Sequence, residues 1–428
     1  MAVAMGQTPK GLQPARSVLH FFGAEMRRLR VGLGMSQADL GSALFVHKDL
    51  VRRIESAERM PTDALVADCD RVLAANGGLR RLLPILQRER ALRAGRDIGT
   101  AATGFRSEAI DRPVLDWLLA STHATKPSWV RHEGSTVRRL RELRGDDHRH
   151  GAVSTYSDLA DAIRDLDDLE SQTPEVATGY LELAGYEAVD LGADGLAQQH
   201  YLRGLGIATR SGDRLYGGYL IAVSLAHLAL HCGDAEQASR LAVAALRGIE
   251  QAGPPAVRAS FRAVLARAHA RRGDEAACAT ALLQVETDLA RSRPAEEPAW
   301  IRYFGEADLA DEKAHCFFDL GLHELAQREA TRATELLEPH RMRRLAIDTA
   351  LHASSLARSR QIEHACAMAH RAIDFATAVD SFRTAHRLVL MLAELQPYVG
   401  MPDVKAVFEY ARTQLPVLFS RPSEARHP

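Results

Sequence analysis

At 428 residues the chain is too long for one compact core, so two or three domains or an extended array are expected. Hydrophobic content of 46% and charged content of 25% are those of a soluble folded protein, and no apolar run nears the roughly 20 residues of a membrane span. Residues 1–100 hold 16 Lys and Arg against 10 Asp and Glu, while the remainder holds 38 against 45, so the near-neutral total hides a basic N-terminal end.

Met1 to Arg16 contains Gly and Pro, lacks the apolar centre of a signal peptide, and reads as a loose tail on a cytoplasmic protein. Val18 to Gly32 has Leu19, Phe22, Met26 and Leu29 on one stripe with Arg27, Arg28 and Arg30 opposite, which predicts a helix ended by Gly32 or Gly34. Ser36 is an N-cap for a second helix carrying Leu40, Ala43 and Leu44, and Val46 to Lys48 begin a third carrying Leu50, Val51 and Ile54. Leu40, Leu44, Val46, Val51 and Ile54 would pack together and leave the other face of the third helix outward.

That outward face is Lys48, Asp49, Arg52 and Arg53. Lys48 and Arg53 can donate to guanine edges, Asp49 can accept from a cytosine amino group or hold an arginine, and Arg52 can take a phosphate. The plain alternative is a solvated helix of mixed charge. Arg27, Arg28, Arg30, Lys48, Arg52, Arg53 and Arg59 cluster in sequence, as a phosphate-binding surface requires. Pro61 and Thr62 then cap a helix with Leu65, Cys69, Val72 and Leu73 inward, stopped at Asn76 to Gly78, and Leu79 to Arg96 continues the helical pattern into a connector.

Met35 to Thr62 resembles the helix-turn-helix of the lambda-repressor-like (Cro/C1, XRE) family through Ser36, Gln37, Leu40, Ile54, Glu55, Pro61 and Thr62. The resemblance implies double-stranded DNA as partner, with Gln37 contacting phosphate and Lys48, Asp49 and Arg53 facing the bases. The candidate DNA-binding residues are therefore Gln37, His47, Lys48, Asp49, Arg52 and Arg53. Phe45 stands at the turn where the family most often has glycine, and a left-handed backbone there costs roughly 1 kcal/mol against glycine.

Residues 97–154 carry a linker, "GTAATG", then Val114, Leu115, Trp117, Leu118 and Leu119 on a short apolar helix, and breaks at Pro127, Gly134 and "GDDHRHG". Asp146, Asp147, His148 and His150 in that last run have ligand chemistry, but adjacent loop residues seldom converge on one ion, and no metal is assigned. Cys69, Cys232, Cys278, Cys316 and Cys366 are odd in number, far apart, and read as buried small hydrophobes.

From Glu175 the chain repeats a phrase of helix, short break and helix. Gly192, Gly233, Gly273, Gly321 and Arg360 mark the breaks at spacings of 41, 40, 48 and 39 residues. Five residues past each stands a small one: Ala197, Ala238, Cys278, Ala326 and Ala365. Small residues allow paired helices to approach, and stacking of the pairs completes a core that none has alone. These units resemble tetratricopeptide repeats, although the period exceeds that family's 34 residues and Val285 replaces a usual alanine. The resemblance implies a right-handed superhelix with a concave inner surface. Tyr180, Tyr186, Tyr216, Tyr219, Arg262, Trp300 and Tyr303 are candidates to line that groove and meet an effector, with packing between repeats as the alternative.

No GxSxG, GxxxxGK[ST] or GxGxxG is present; His227 and His231 have a zinc-pair spacing without the rest of the motif. No enzyme activity and no cofactor are expected. The expected fold is all-α: residues 1–16 a tail, 17–95 a five-helix DNA-binding domain, 96–174 linker and connector, 175–415 the repeat array with a terminal helix pair, and 416–428 a tail. The whole resembles helix-turn-helix/tetratricopeptide regulators of actinomycetes. It implies a homodimer whose array binds a peptide, small molecule or protein that alters DNA binding; the alternative is a non-catalytic interaction scaffold with a vestigial helix-turn-helix.

Overall fold

The computed structural model describes residues 17–75, 77–83, 86–87, 89–90, 104–120, 134–164, 166–249, 253–379 and 381–415. Both predicted tails, Asn76, most of the connector and of "GTAATG", and Pro127 lie outside them. All regular structure among the described residues is helical, and the chain divides into two compact units, Met1–Ala94 and Gly95–Pro428. No described helix is long and apolar enough to cross a membrane.

The first unit contains α1 (Val18–Gly32), α2 (Gln37–Ala43), α3 (Lys48–Glu55) and α4 (Asp63–Val72), followed by a 3-10 turn at Arg80–Leu82. Each start has a local cause. Ser17 caps α1, Ser36 and Asp39 form a capping box on α2, His47 accepts from Asp49 N at α3, and Thr62 caps α4. An eight-residue helix such as α3 is too short to persist alone; it is held because Val51 and Ile54 enter a core with Leu19, Phe22, Met26, Leu40, Leu44 and Cys69. Burial of each such side chain contributes about 1.5–3 kcal/mol. Past α4, Asp70 accepts from the backbone N–H groups of Gly77, Leu79 and Arg80 at 2.8, 2.8 and 3.0 Å and so fixes the exit of the chain.

The second unit opens with α5 (Glu108–Leu119), α6 (Ser135–His150), α7 (Ala152–Arg164) and α8 (Leu166–Gln172). Five helical hairpins follow. They pair α9 (Pro174–Asp190) with α10 (Asp194–Ser211), α11 (214–231) with α12 (Ala235–Gly248), α13 (Pro255–Arg271) with α14 (Glu275–Leu289), α15 (Glu306–Asp319) with α16 (His323–Leu336), and α17 (Met342–Arg358) with α18 (Ile362–Thr377). A terminal pair, α19 (Phe382–Leu395) and α20 (Pro402–Gln414), closes the order.

The five breaks read from the sequence are the five turns. Gly192, Gly233, Gly273 and Gly321 have φ of 70, 89, 73 and 76°, and Arg360 holds the same left-handed conformation at 60°. Ala197, Ala238, Cys278, Ala326 and Ala365 are all buried, as helix pairing requires. At Gly185 the approach is so close that a Cβ would stand 2.2 Å from the Tyr201 ring. Unforeseen from the sequence, Leu220–Leu225 in the middle of α11 is π-helical, a wider turn that often accompanies a functional surface.

Residues read as linker and connector pack into this unit. Trp117 of α5 sits where Cβ atoms on Gly217 and Gly248 would be 2.4 and 2.2 Å away, and Arg214 bonds the Trp117 and Leu118 carbonyls. The break expected at "GDDHRHG" is also corrected: α6 runs unbroken through Gly145 to His150. Its Asp147 is buried and takes two hydrogen bonds from Arg343 of α17, at 2.7 and 3.2 Å, while Arg343 Nε lies 3.3 Å from Asp190 of α9. Ser381 and Arg383 reach the same Asp190 at 2.6 and 3.1 Å, so the first and last hairpins of the array meet across one ion network. None of the five cysteines is in a disulfide; four are buried, whereas Cys232 is exposed, contrary to expectation.

Candidate nucleic-acid interface and inner cavity

In the first unit, the geometry is set by one wholly buried carboxylate. Glu55, the last residue of α3, accepts from Arg30 Nε and Nη2 at 2.6 and 3.0 Å and from Gln37 Nε2 at 2.7 Å. Arg27 adds a bond to the Glu55 carbonyl at 2.9 Å, and Arg30 Nη1 bonds the Met35 carbonyl at 2.6 Å. These bonds join α3 to α1 and to the start of α2, and they desolvate the charges only where each is matched. Of the residues read as phosphate-binding, Arg27 and Arg30 bond Glu55 here, and the Gln37 amide nitrogen expected to reach phosphate donates to the Glu55 carboxylate.

The opposite face of α3 is as expected from its spacing: His47, Lys48, Asp49, Arg52 and Arg53 are all exposed. His47 Nδ1 lies 3.3 Å from the Asp49 carboxylate, and Arg52 lies 3.4 Å from Glu58, whereas Lys48 and Arg53 have no ion pair among the described residues. Two cations on one short helix, held by a rigid internal strut, can donate to base edges or phosphates without first breaking a protein contact. Gly41 makes the turn tight, since a Cβ there would meet the Val46 carbonyl oxygen at 2.8 Å. Phe45 has φ of 56° and is 95% exposed, so the left-handed turn is real and holds a bulky side chain in solvent.

Residues 22–83 match the family model described as a helix-turn-helix domain. The first unit carries a helix-turn-helix domain. A search of curated proteins returns no match for the chain. The helix-turn-helix domain points to a DNA-binding regulator, with α3 as its outward-facing second helix.

In the second unit, a cavity of about 560 Å³ opens on the inner faces of the first helix of each hairpin, joined by α6 and α19. Of the groove residues named from the sequence, Tyr186, Tyr219, Trp300 and Tyr303 line it. Tyr180, Tyr216 and Arg262 do not. Tyr180 bonds the Thr136 carbonyl at 3.0 Å, Tyr216 stacks on Trp300 with centroids 4.9 Å apart, and Arg262 pairs with Asp288. Sequence reading missed the arginines of the lining, among them Arg144, Arg267, Arg271, Arg344 and Arg387. The available signal was arginine at i, i+4 on first helices, as at Arg267 and Arg271 or Arg383 and Arg387.

The metal-like spacings resolve into ion pairs. Asp146 bonds Arg149 at 2.7 Å, Asp147 is taken by Arg343, and burial together with Arg341, Arg343 and Arg144 pulls His148 down to about 3. His227 lies 3.3 Å from Glu312 and His231 3.5 Å from Asp194, so the two face different carboxylates. Asp311, His315 and Asp348 do bring ligand atoms within 4.8 Å of one another and could hold a metal ion. Arg344 already stands there, 3.6 Å from Asp311 and 3.8 Å from Asp348, supplying the positive charge a metal would bring. Burial and Asp311 push the Asp348 carboxyl well up, which favours a protonated acid beside a carboxylate.

Proposed function

We propose that the chain is a sequence-specific, XRE-type transcriptional regulator of the cytoplasm, without catalytic activity, whose tetratricopeptide-like second unit pairs two chains and binds an effector that alters DNA binding. The single observation that carries the reading is that Lys48 and Arg53, exposed and without an ion pair among the described residues, stand on an α3 locked from behind by Glu55. One such domain makes few contacts, so a dimer presenting two of them about one helical turn apart, roughly 34 Å, would combine half-site energies. The effector would favour one spacing of the two domains through its differential affinity.

Fluorescence anisotropy with genomic DNA fragments at two salt concentrations tests this. Binding should weaken as salt rises, and Lys48→Ala with Arg53→Ala should weaken it further and, with both contacts to phosphate in each of two domains, flatten the salt slope by about 4. Binding without sequence preference in the full-length protein, or unchanged binding in the double variant, would leave the interaction scaffold as the better reading.

A further inference from the structure

Six side chains of the inner cavity carry polar atoms that are shut off from solvent and make no hydrogen bond: Arg144, Arg267, Trp300, Arg344, Arg383 and Arg387. In every one of them the unsatisfied atom is an N–H donor. The shielded carboxylate oxygens that lack hydrogen bonds belong to residues outside this lining, and of these Asp348 already faces Arg344 Nε at 3.8 Å, so the surplus rests on the other five side chains. A buried donor without an acceptor is costly, so a lining with this one-sided surplus is complementary to a ligand rich in acceptors.

The charges give the same answer. The lining holds seven arginines and six carboxylates. Arg144 pairs with Glu182 at 2.6 Å, Arg267 with Glu312 at 3.0 Å, Arg271 with Asp319 at 2.8 Å and Arg344 with Asp308 at 2.9 Å. Arg387 has no carboxylate at ion-pair distance among the described residues; its guanidinium lies over Phe318 at 5.1 Å, with Nε and one Nη shielded and unbonded. Burial and the neighbouring Arg267 and Arg271 outweigh Asp319 and pull Arg387 down to about 10, still charged near neutrality. Two of the nearby histidines do not add to the charge: burial and the surrounding arginines hold His315 well below its ordinary value, and His148 as well.

We propose that this cavity binds a small organic oxyanion, a carboxylate or phosphate with an apolar body, whose charged group is held by Arg387 beside Arg267 and Arg271. The volume suits a single small molecule, and Tyr219, Trp300 and Tyr303 offer aromatic surface to its body. The bidentate geometry of guanidinium suits both anion types. The site gives chemical identity to the effector, and to that extent rests on the regulatory reading above.

The test uses the full chain without DNA, so that its failure is separate from any failure of DNA binding. Inorganic phosphate and phenylacetate, each against sodium chloride at matched ionic strength, are titrated by calorimetry and by thermal unfolding, with phenylacetamide as the uncharged counterpart. At least one anion should raise the unfolding midpoint beyond chloride, and a response to phosphate alone or to phenylacetate alone identifies which anion the site takes. Arg387→Met should raise the dissociation constant at least about tenfold, while melting no lower than wild type in chloride, because an uncompensated charge has become an apolar stem. Arg387→Lys should restore part of the response. Neither anion acting beyond chloride, phenylacetamide matching phenylacetate with phosphate inert, or a full response in Arg387→Met would overturn the site.

Discussion

Both units bury arginine, and they do so in opposite ways. Around Glu55 in the first unit, Arg27, Arg30 and Gln37 all find an acceptor, and no described side chain of that unit has a shielded polar atom without a hydrogen bond. In the cavity of the second unit the same residue type is left with donors to spare. The difference separates two kinds of interior: a satisfied cluster fixes a shape, and an unsatisfied one leaves donors for the oxyanion proposed above. It also explains where the outward charge of the first unit comes from. With Arg27 and Arg30 used internally, the outward cations of the basic cluster are Arg28 and Arg59 together with Lys48, Arg52 and Arg53 of α3.

The contrast breaks hardest where a satisfied cluster loses its counter-charge. Glu55→Ala leaves Arg27 and Arg30 facing a void, and should destabilise the first unit by about 3–5 kcal/mol. Urea unfolding followed by circular dichroism should show an early transition with the second-unit transition unmoved, and DNA binding lost with it. Arg343→Ala is the matching change in the second unit, since it strands Asp147 and leaves Asp190 to Arg383 and Ser381; a loss of similar size should appear in the other transition. If Arg343→Ala is silent, the first and last hairpins are held by packing instead.

A smaller effect of opposite sign is expected at the two bulky left-handed residues. Phe45→Gly should stabilise the first unit and Arg360→Gly the second, each by about 1 kcal/mol, since glycine adopts positive φ without a Cβ penalty. Denaturant midpoints of the two transitions check each separately.

The smallest effect is on acid stability. Burial pushes the Asp70 carboxyl up, but the backbone N–H groups of Arg80, Gly77 and Leu79 outweigh it and hold the group below its ordinary value. A depressed carboxyl stabilises the fold above its unfolded pKa of about 4 and loses that contribution as pH falls through the folded value. Asp70→Asn should therefore be less stable than wild type at neutral pH and show a shallower decline in acid, read from thermal unfolding between about pH 6 and pH 2.

Much of the first unit was legible because its signals are local. Ser36 with Asp39, Thr62 before Leu65, and the spacing of Val51 and Ile54 mark helix starts and a buried face without reference to distant residues. The exposure of Lys48, Asp49, Arg52 and Arg53 follows from that face. The fate of Gln37, Arg27 and Arg30 was not legible, because a polar side chain carries no mark of whether its partner is water, phosphate or a carboxylate 18 to 28 residues away. In the cavity, four of the six aromatic candidates were recovered, Tyr186, Tyr219, Trp300 and Tyr303 inside and Tyr180 and Tyr216 packed elsewhere, since both roles demand large side chains.

The dipeptide Gly-Asp puts the division most plainly. At Gly233-Asp234 and Gly273-Asp274 it ends one helix and caps the next, with Asp234 and Asp274 accepting from Gln237 N and Ala277 N. At Gly145-Asp146 the same pair lies within an unbroken α6. By itself the sequence determined the helical class, the hairpin turns and the outward face of α3, because each depends on contacts within a few residues. Only the tertiary structure decided that α6 continues, that Asp147 meets Arg343 across 196 residues, and that Arg387 has no counter-ion among the described residues, because the free energy of a buried charge is set by whatever the fold brings beside it.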